Sequence, residues 1–422
     1  MTASGSPRPP SRRDLLAALG ATGALQSALG DGRLPLAPSW TTEGRYARAP
    51  GTDEAGDFLF EKGLVYLNTA ALGPAPRQVL ERTLQVWREL EGNPSHEGYG
   101  RLEHAMDGVR AQGAHLLGCD VEELVLTRST TDGMNAVAQG MRLVAGDRVV
   151  TSDQEHPGGV SCWKYLARRN GVVLDVVPVP LGENDPARIV ERFAAAVTPR
   201  TRVISVSHVL TSTGLRMPVP ELAALARRNG ALCVVDGAQA VGGIAVDVKA
   251  LGCHAYATSG HKWLMGPKGT GLLFLAADTT GVIEPIVLED GRAAYTQSSG
   301  VESIPSVMGL GAAIALAMAT GVGEVERRAV ALRDRVYAGL HALPRIEVVS
   351  PAPGALAVPF VTFRLPDAVE SAAFGARLRE RYGLVVKVVP KVWMNGIRVS
   401  THVFNTEREV GILLRALRDE LT

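Results

Sequence analysis

In this 422-residue chain, the residue best suited to take part in a reaction is a lysine between a Ser-Gly-His turn and a glycine-rich turn. Lys262 follows residues 258–261 and precedes residues 266–271, which lead into an apolar segment. Such turns can project a lysine into a cleft, where burial lowers its pKa and leaves an amine able to react with an aldehyde cofactor. Ser259 and His261 flank it as candidate phosphate ligands. The alternative is a surface lysine beside a packing tryptophan.

A carboxylate ends an apolar segment 26 residues (262 − 236) before that lysine. Asp236 follows the apolar residues 232–235, and ligands bind at the carboxyl edge of open α/β sheets. A buried aspartate needs a cationic partner, and a protonated pyridinium nitrogen would be one that also strengthens the ring as an electron sink. The alternative is a helix N-cap. One helix and one strand between Asp236 and Lys262 would bring both to the same edge.

Three further segments have residue types suited to an anionic aromatic cofactor or substrate. Thr130 and Thr131 lie where a helix is predicted to begin, and its free N–H groups with two hydroxyls could bind a phosphate ester or be plain caps. His156 could stack on an aromatic cofactor, or have only a structural role. Arg398 lies on an apolar strand, where it could bind a carboxylate in bidentate fashion or form an internal salt bridge.

The elements that must position these residues alternate between short strands and amphipathic helices from about residue 58. Strands are predicted at residues 121–126, 148–151, 172–177, 201–206, 231–235 and 271–275, with a helix at residues 221–229. This alternation predicts an α/β fold with a mostly parallel sheet covered by helices on both faces. A small-residue helix at residues 307–319 and strands near residues 346–350, 359–363 and 384–388 predict a second, α+β domain.

Composition and charge narrow the classes of protein to which the chain can belong. Hydrophobic residues make up 46% and charged residues 21%, as in globular proteins with a large core. Because 44 Lys and Arg nearly balance 43 Asp and Glu, nothing indicates a nucleic-acid partner. No uninterrupted apolar stretch reaches the roughly 18 residues of a membrane span. The four cysteines have no metal-ligand spacing, so we predict no metal site and mostly buried thiols.

Together these segments resemble the class V aminotransferase family of pyridoxal-phosphate (PLP) enzymes, fold type I, over roughly residues 60–420. The resemblance implies that Lys262 carries PLP as a Schiff base and that Asp236 pairs with the pyridine nitrogen. It implies that Gln239 contacts the ring's phenolic oxygen, His156 stacks on the ring, and Arg398 binds the substrate α-carboxylate. The residues that would hold the phosphate are Thr130, Thr131, Ser259 and His261.

The patterns along the chain predict a domain plan, and the resemblance implies a partner subunit. Residues 1–55 would be an export signal and linker, residues 56–305 the PLP-binding large domain with its N-terminal segment, and residues 306–422 the small C-terminal domain. Enzymes of this family are usually homodimers, and the partner subunit would complete the phosphate site near residues 300–301. The family often has a threonine there, whereas Val301 offers only its backbone N–H.

Two departures favour an isopenicillin N epimerase-like branch over the cysteine desulfurases. Desulfurases carry a mobile-loop cysteine shortly before the carboxylate-binding arginine, whereas residues 384–397 contain none. They also typically carry asparagine where Thr211 stands. The expected activity is transamination, epimerisation or elimination at the α-carbon of an amino acid or amino-acid-derived metabolite. The alternatives are a carbon–sulfur lyase or desulfurase-like enzyme, and a non-catalytic binding protein on the same scaffold.

The N-terminal residues have the layout of a bacterial twin-arginine export signal. Arg12 and Arg13 precede an uncharged run at residues 17–30, and small residues lie before Asp31 with the spacing of a cleavage site. This layout predicts a periplasmic or extracellular protein. The alternative is a disordered tail on a cytoplasmic one.

A fusion of residues 1–40 to a folded fluorescent reporter should therefore cross the bacterial inner membrane. The double substitution Arg12→Lys with Arg13→Lys should keep the reporter in the cytoplasm, because such signals are addresses read by a receptor. Cell fractionation measures both outcomes. Cytoplasmic retention of the unmutated fusion would contradict the prediction.

Overall fold

Strands and helices alternate from residue 58 onward, as predicted, in the computed structural model, which describes residues 46–47, 58–293, 296–343 and 345–421. The strands are β1 (Tyr46–Ala47), β2 (Phe60–Glu61), β3 (Val65–Tyr66), β4 (Leu124–Thr127), β5 (Arg148–Ser152), β6 (Val173–Val177), β7 (Thr201–Ser207), β8 (Leu232–Asp236), β9 (Ala255–Ser259), β10 (Gly271–Leu275), β11 (Glu347–Val348), β12 (Phe360–Arg364), β13 (Leu384–Val385), β14 (Lys387–Val389) and β15 (Gly396–Ser400). The helices are α1 (Arg77–Gly92), α2 (Pro94–Gly98), α3 (Arg101–Leu117), α4 (Thr130–Gly140), α5 (Pro157–Asn170), α6 (Pro186–Ala196), α7 (Val219–Arg228), α8 (Val248–Leu251), α9 (Ile304–Thr320), α10 (Val322–His341), α11 (Ser371–Tyr382) and α12 (Glu407–Leu421). The chain divides into residues 1–46 and residues 47–422, and the second unit is described below.

The central sheet has the strand order β4-β10-β9-β8-β7-β5-β6. All its strands are parallel except β10, which runs antiparallel to β4 and β9. Alternate residues of β8 enter different cores: Cys233 and Val235 pack with helices α1, α3, α7 and α9, whereas Val234 packs with α4 and α5. Because both faces are covered by helices, the predicted α/β fold is confirmed.

A second, antiparallel sheet in the order β11-β12-β15-β14 lies in the C-terminal region. Its apolar face packs against α10, α11 and α12, with Phe363, Ile397 and Phe374 fully buried in a core of their own. This is the α+β arrangement expected there. The domain boundary at residues 305–306 stays a prediction.

Two predicted strands differ from the structure for identifiable reasons. Residues 121–126 begin as a 3-10 turn, Val121–Glu123, because Glu123 accepts a hydrogen bond from the backbone N–H of Asp120 (3.2 Å). The strand β4 therefore starts at Leu124. Residues 384–388 form two strands instead of one, because β13 pairs in parallel with β3 while β14 pairs with β15.

The predicted export signal and linker, residues 1–55, lie outside the described residues apart from Tyr46–Ala47. In the described part of the chain, no single helix combines the length and apolarity that a membrane crossing requires. Helices α9 and α10 would meet that test only as a pair, and they are bent by 77° where they join.

Candidate active site

The structure brings the predicted site residues to the carboxyl edge of the central sheet. Asp236 ends β8 and Ser259 ends β9, and these strands pair in parallel with Asp236 opposite Ala257. Lys262 follows β9 by three residues, and α8 and β9 are the helix and strand expected between Asp236 and Lys262. Thr130 begins α4 after β4, and β10 begins at this same edge because Gly271 pairs with Ser259.

Hydroxyl groups gather where α4 begins. The backbone N–H of Thr130 donates to Ser259 Oγ (3.0 Å), and the two hydroxyls lie 2.8 Å apart. The cap of α4 is Ser129, whose Oγ accepts from the Asp132 N–H (3.1 Å), so Thr130 and Thr131 are not needed as caps. An eleven-residue helix with hydroxyl groups at its start is suited to an anionic group.

Lys262 is largely enclosed at this edge, with part of the residue still reachable by solvent. Burial lowers the pKa of Lys262 to about 8, with Asp236 opposing this shift and Arg398 adding to it. A close backbone contact fixes the turn: the Gly73 N–H donates to His261 O (2.8 Å), and a Cβ at residue 73 would lie 1.9 Å from Lys262 O. The surface-lysine alternative is therefore wrong.

Asp236 is buried, and one of its oxygens is already bound. Its Oδ1 accepts a hydrogen bond from the Ala238 N–H (2.9 Å) in a turn, so no helix begins there and the N-cap alternative is wrong. Its other oxygen, Oδ2, faces the start of α5, where a Cβ on Gly159 would lie only 2.5 Å away. The bare glycine backbone thus allows α5 to approach this carboxyl group.

His156 is the N-cap of α5, so the expected structural alternative is present. Its Nδ1 accepts from the Gly158 N–H (3.0 Å), which leaves the Nε2 side of an exposed ring available. Partial burial and the Lys262 ammonium lower the pKa of His156. The positive charges of Arg398 and Lys387 lower that pKa further, so both cations lie within electrostatic reach of the ring. Stacking on a cofactor stays a prediction.

Arg398 is a buried guanidinium with unused hydrogen-bonding capacity. Its Nη1 donates to the carbonyl and the hydroxyl of Thr211 (2.9 and 2.7 Å), and its Nε has no partner. It forms no ion pair with a carboxylate of the described residues, so the salt-bridge alternative is wrong. Burial lowers the pKa of Arg398 to about 10, so it is still cationic at neutral pH and suited to binding an anion.

Gln239 connects this arginine to the lysine turn through side-chain contacts. Its Nε2 donates to Thr211 Oγ1 (3.2 Å) and to Ala70 O (2.9 Å), while its Oε1 accepts from Trp263 Nε1 (2.9 Å). Because both amide protons are engaged, the predicted contact with a cofactor oxygen would have to replace one of these bonds.

Glu155 is a further carboxyl group near the site, and no sequence motif indicated its role. Ser152 Oγ and Ser207 Oγ each donate to one of its carboxyl oxygens at 2.6 Å. Burial raises the pKa of Glu155 to about 7, and the serine hydrogen bonds oppose that shift. Its position just after β5 was visible in the sequence, but its burial depends on neighbouring strands that the sequence does not order.

The described cysteines are poorly suited to thiolate chemistry. Cys162, Cys233 and Cys253 are buried, as predicted for most of them, and Cys119 is partly buried. Burial raises the pKa of Cys162, Cys119 and Cys233 to about 12 in each case. Thiols with such pKa values are protonated at neutral pH, whereas only the thiolate form is a good nucleophile.

The residues at this edge fit a phosphorylated aldehyde cofactor. Lys262 supplies the amine, the start of α4 supplies N–H and hydroxyl groups, and Asp236 presents a buried oxygen. The Nδ1 atom of His261, beside Lys262, is buried without a hydrogen-bond partner, which indicates a polar group missing from its surroundings.

Comparisons with known proteins agree with this arrangement. A family model for class V aminotransferases matches residues 65–413. The chain is 34% identical over 377 residues to isopenicillin N epimerase of Amycolatopsis lactamdurans, covering 84% of this chain and 94% of that protein. It is 31% identical over 387 residues to a cysteine desulfurase of Salmonella agona, covering 84% and 92%.

Solved structures with the same fold include two enzymes of sulfur metabolism. The cystine C–S lyase C-DES, in complex with its reaction product cysteine persulfide, superposes with a TM-score of 0.78 at 25% identity, covering 85% of this chain and 98% of that one. The cysteine desulfurase of Thermococcus onnurineus gives a TM-score of 0.77 at 26% identity, covering 89% and 99%. Fold and site therefore define a PLP-dependent enzyme of fold type I. The chain belongs to the class V aminotransferase family.

In the cofactor-free protein, the Lys262 amine should gain reactivity with acetic anhydride as the pH rises through about 8. The reason is that burial lowers its pKa and only the neutral amine is nucleophilic. In Asp236→Asn the midpoint should fall further, since a carboxylate that stabilises the ammonium is lost. Competitive labelling with peptide mass spectrometry measures both midpoints, and the exposed Lys164 provides the reagent reference. A midpoint near the ordinary 10.5, or an upward shift in Asp236→Asn, would contradict this account.

Proposed function

We propose that this enzyme transfers a proton at the α-carbon of an amino acid or amino-acid-derived metabolite. Lys262 would carry PLP and act as the base. The observation that carries the proposal is the enclosed Lys262 amine, whose pKa burial lowers to about 8. A base with a pKa near the working pH combines availability of the neutral form with a useful driving force for proton transfer.

The residues around Lys262 would hold and tune the cofactor. When bound, PLP supplies an electron sink for negative charge that develops at the α-carbon. Asp236 would keep the ring nitrogen protonated through its free Oδ2 atom. His156 would stack on the ring with its exposed imidazole. The phosphate would be bound by Thr130, Thr131, Ser259 and His261.

Arg398 would orient the substrate by binding its α-carboxylate. The unpartnered Nε and the absence of an ion-paired carboxylate among the described residues support this role. Because Thr211 holds the guanidinium by two hydrogen bonds, the arginine is already oriented before substrate arrives. A substrate anchored in this way would present its α-proton to the Lys262 amine.

Epimerisation is the reaction outcome that the curated relatives favour. Isopenicillin N epimerases of Amycolatopsis lactamdurans and Streptomyces clavuligerus share 34% and 31% identity with this chain. Epimerisation requires that the α-carbon lose its proton and regain one on the opposite face, with no leaving group.

A carbon–sulfur lyase is the second candidate, favoured by the likeness to cystine C–S lyase. That reaction starts from the same removal of the α-proton and needs no protein thiol. Persulfide formation on the enzyme is disfavoured, because burial raises the pKa of Cys162, the cysteine on α5, to about 12.

Incubation of the holoenzyme in deuterium oxide with a panel of amino acids, cystine and β-lactam precursors tests the proposal. At least one compound should acquire deuterium at the α-carbon, detected by mass spectrometry, whichever outcome follows. Chiral chromatography then separates epimerisation from elimination, and pyruvate would report a lyase. Lys262→Ala should slow deuterium uptake by at least about 100-fold, because general base catalysis contributes that much or more.

The matched control is Lys268→Arg, six residues further along the chain in the glycine-rich turn. Lys268 Nζ donates to Gly73 O (2.9 Å), and arginine retains a donor there, so deuterium uptake should be unchanged. Equal uptake by wild type and Lys262→Ala would overturn the proposed role of Lys262.

A further inference from the structure

The sheet of β12, β15 and β14 has one polar face, opposite its apolar core. Residues of β15 alternate, so that Ile397 and Val399 enter the core while Arg398 lies on the other face. Register places Arg398 directly opposite Thr362 of β12 on one side and opposite Lys387 of β14 on the other. These three side chains therefore form a row across three adjacent strands.

This polar face contains hydrogen-bonding groups that the described residues do not satisfy. Thr362 Oγ1 and Arg398 Nε are both buried without a partner. Native proteins rarely leave buried polar atoms unpaired, so such atoms indicate a missing ligand or solvent. The Lys387 side chain is exposed, and its ammonium forms no hydrogen bond or ion pair with a described residue.

Lys387 lies on the same face of the sheet as Arg398, within electrostatic reach of His156. Its positive charge lowers the pKa of His156, as do the charges of Lys262 and Arg398. Directly opposite residues of antiparallel strands have Cβ atoms roughly 5 Å apart. Two anionic groups bound by Lys387 and Arg398 would therefore be only a few ångströms apart, as in one small molecule.

The charges near this face leave one cation unassigned. Two carboxyl groups, Asp236 and Glu155, lie at the carboxyl edge of the central sheet. Asp236 is assigned to the cofactor, and Glu155 accepts hydrogen bonds from two serine hydroxyls. The proposed function assigns Lys262 to the cofactor and Arg398 to the α-carboxylate. Lys387 is then a cation near the proposed substrate anchor, with no counter-ion among the described residues.

We propose that Lys387 binds a second anionic group of the substrate. The substrate class is then an amino acid with a further carboxylate on its side chain. This inference rests on the proposed function, because it takes Arg398 as the ligand of the α-carboxylate. Lys387 is a specificity-determining residue in this account, and it takes no part in proton transfer.

The test uses the holoenzyme and two ligands of nearly equal size, L-glutamate and L-glutamine. Titration with each ligand, followed by the change in cofactor absorbance, gives two apparent dissociation constants. Wild type should bind glutamate about 5-fold or more tightly than glutamine, the effect of one partly exposed charge-assisted hydrogen bond. Lys387→Met should abolish that preference and leave glutamine binding within about 2-fold, because glutamine has no side-chain charge. Lys387→Arg should retain the preference.

Lys391→Met is the matched control, since Lys391 is a nearby lysine in the connection between β14 and β15. Its charge acts on Glu370, outside the site, so the variant should retain the preference for glutamate. A wild type without that preference, or a preference that survives in Lys387→Met, would overturn the inference.

The two proposals fail in different ways. Borohydride reduction and peptide mapping report separately whether PLP is attached to Lys262. If PLP is attached to Lys262 but the preference for glutamate over glutamine does not depend on Lys387, only the second anion site is refuted. Attachment elsewhere refutes the proposed function.

Discussion

A lysine amine enclosed near a buried carboxyl group is the constraint on which the active site depends. Burial favours the neutral amine and lowers the pKa of Lys262, whereas the Asp236 carboxylate favours the ammonium. The two effects leave a pKa of about 8, which neither a solvent-exposed lysine nor a fully paired one would have. Close backbone contacts maintain the arrangement: the Gly73 backbone lies against the Lys262 carbonyl, and the Gly159 backbone lies against the Asp236 carboxyl group. A side chain at either glycine would displace the group that it contacts.

A chain of hydrogen bonds joins Trp263, the residue after Lys262, to the proposed substrate anchor. Trp263 binds Gln239, Gln239 binds Thr211, and Thr211 binds Arg398. The chain crosses from the carboxyl edge of the central sheet to β15 of the C-terminal sheet. Because its bonds are buried or partly buried, losing one partner would leave another polar group unsatisfied. The turn that contains Lys262 and the Arg398 guanidinium are therefore connected through side-chain hydrogen bonds.

Local patterns in the sequence were sufficient for the features that depend on local physics. Apolar runs located β5, β7 and β10 to within about a residue, and the residues that follow such runs located Asp236 and Thr130 at strand and helix ends. Thr211 was noted only for its residue type. Its contacts with Gln239 and Arg398, 28 and 187 residues away, required the fold.

Features that depend on strand order or register could not be predicted from one sequence. Glu155 is partly buried because β5 lies beside β7, whose last residue, Ser207, donates to it. Lys387 lies opposite Arg398 because residues 384–388 split between two sheets, a division that no hydrophobic periodicity indicated.

Mapping the cofactor's attachment point tests the central claim most directly. The holoenzyme should be reduced with borohydride, digested and analysed by peptide mass spectrometry. This account predicts a pyridoxyl group on the peptide that contains Lys262, and on that residue alone among the lysines. Lys262→Ala should have no covalently bound pyridoxyl group while retaining the fold. A pyridoxyl group on Lys268 or Lys164, or an unchanged covalent yield in Lys262→Ala, would contradict the account.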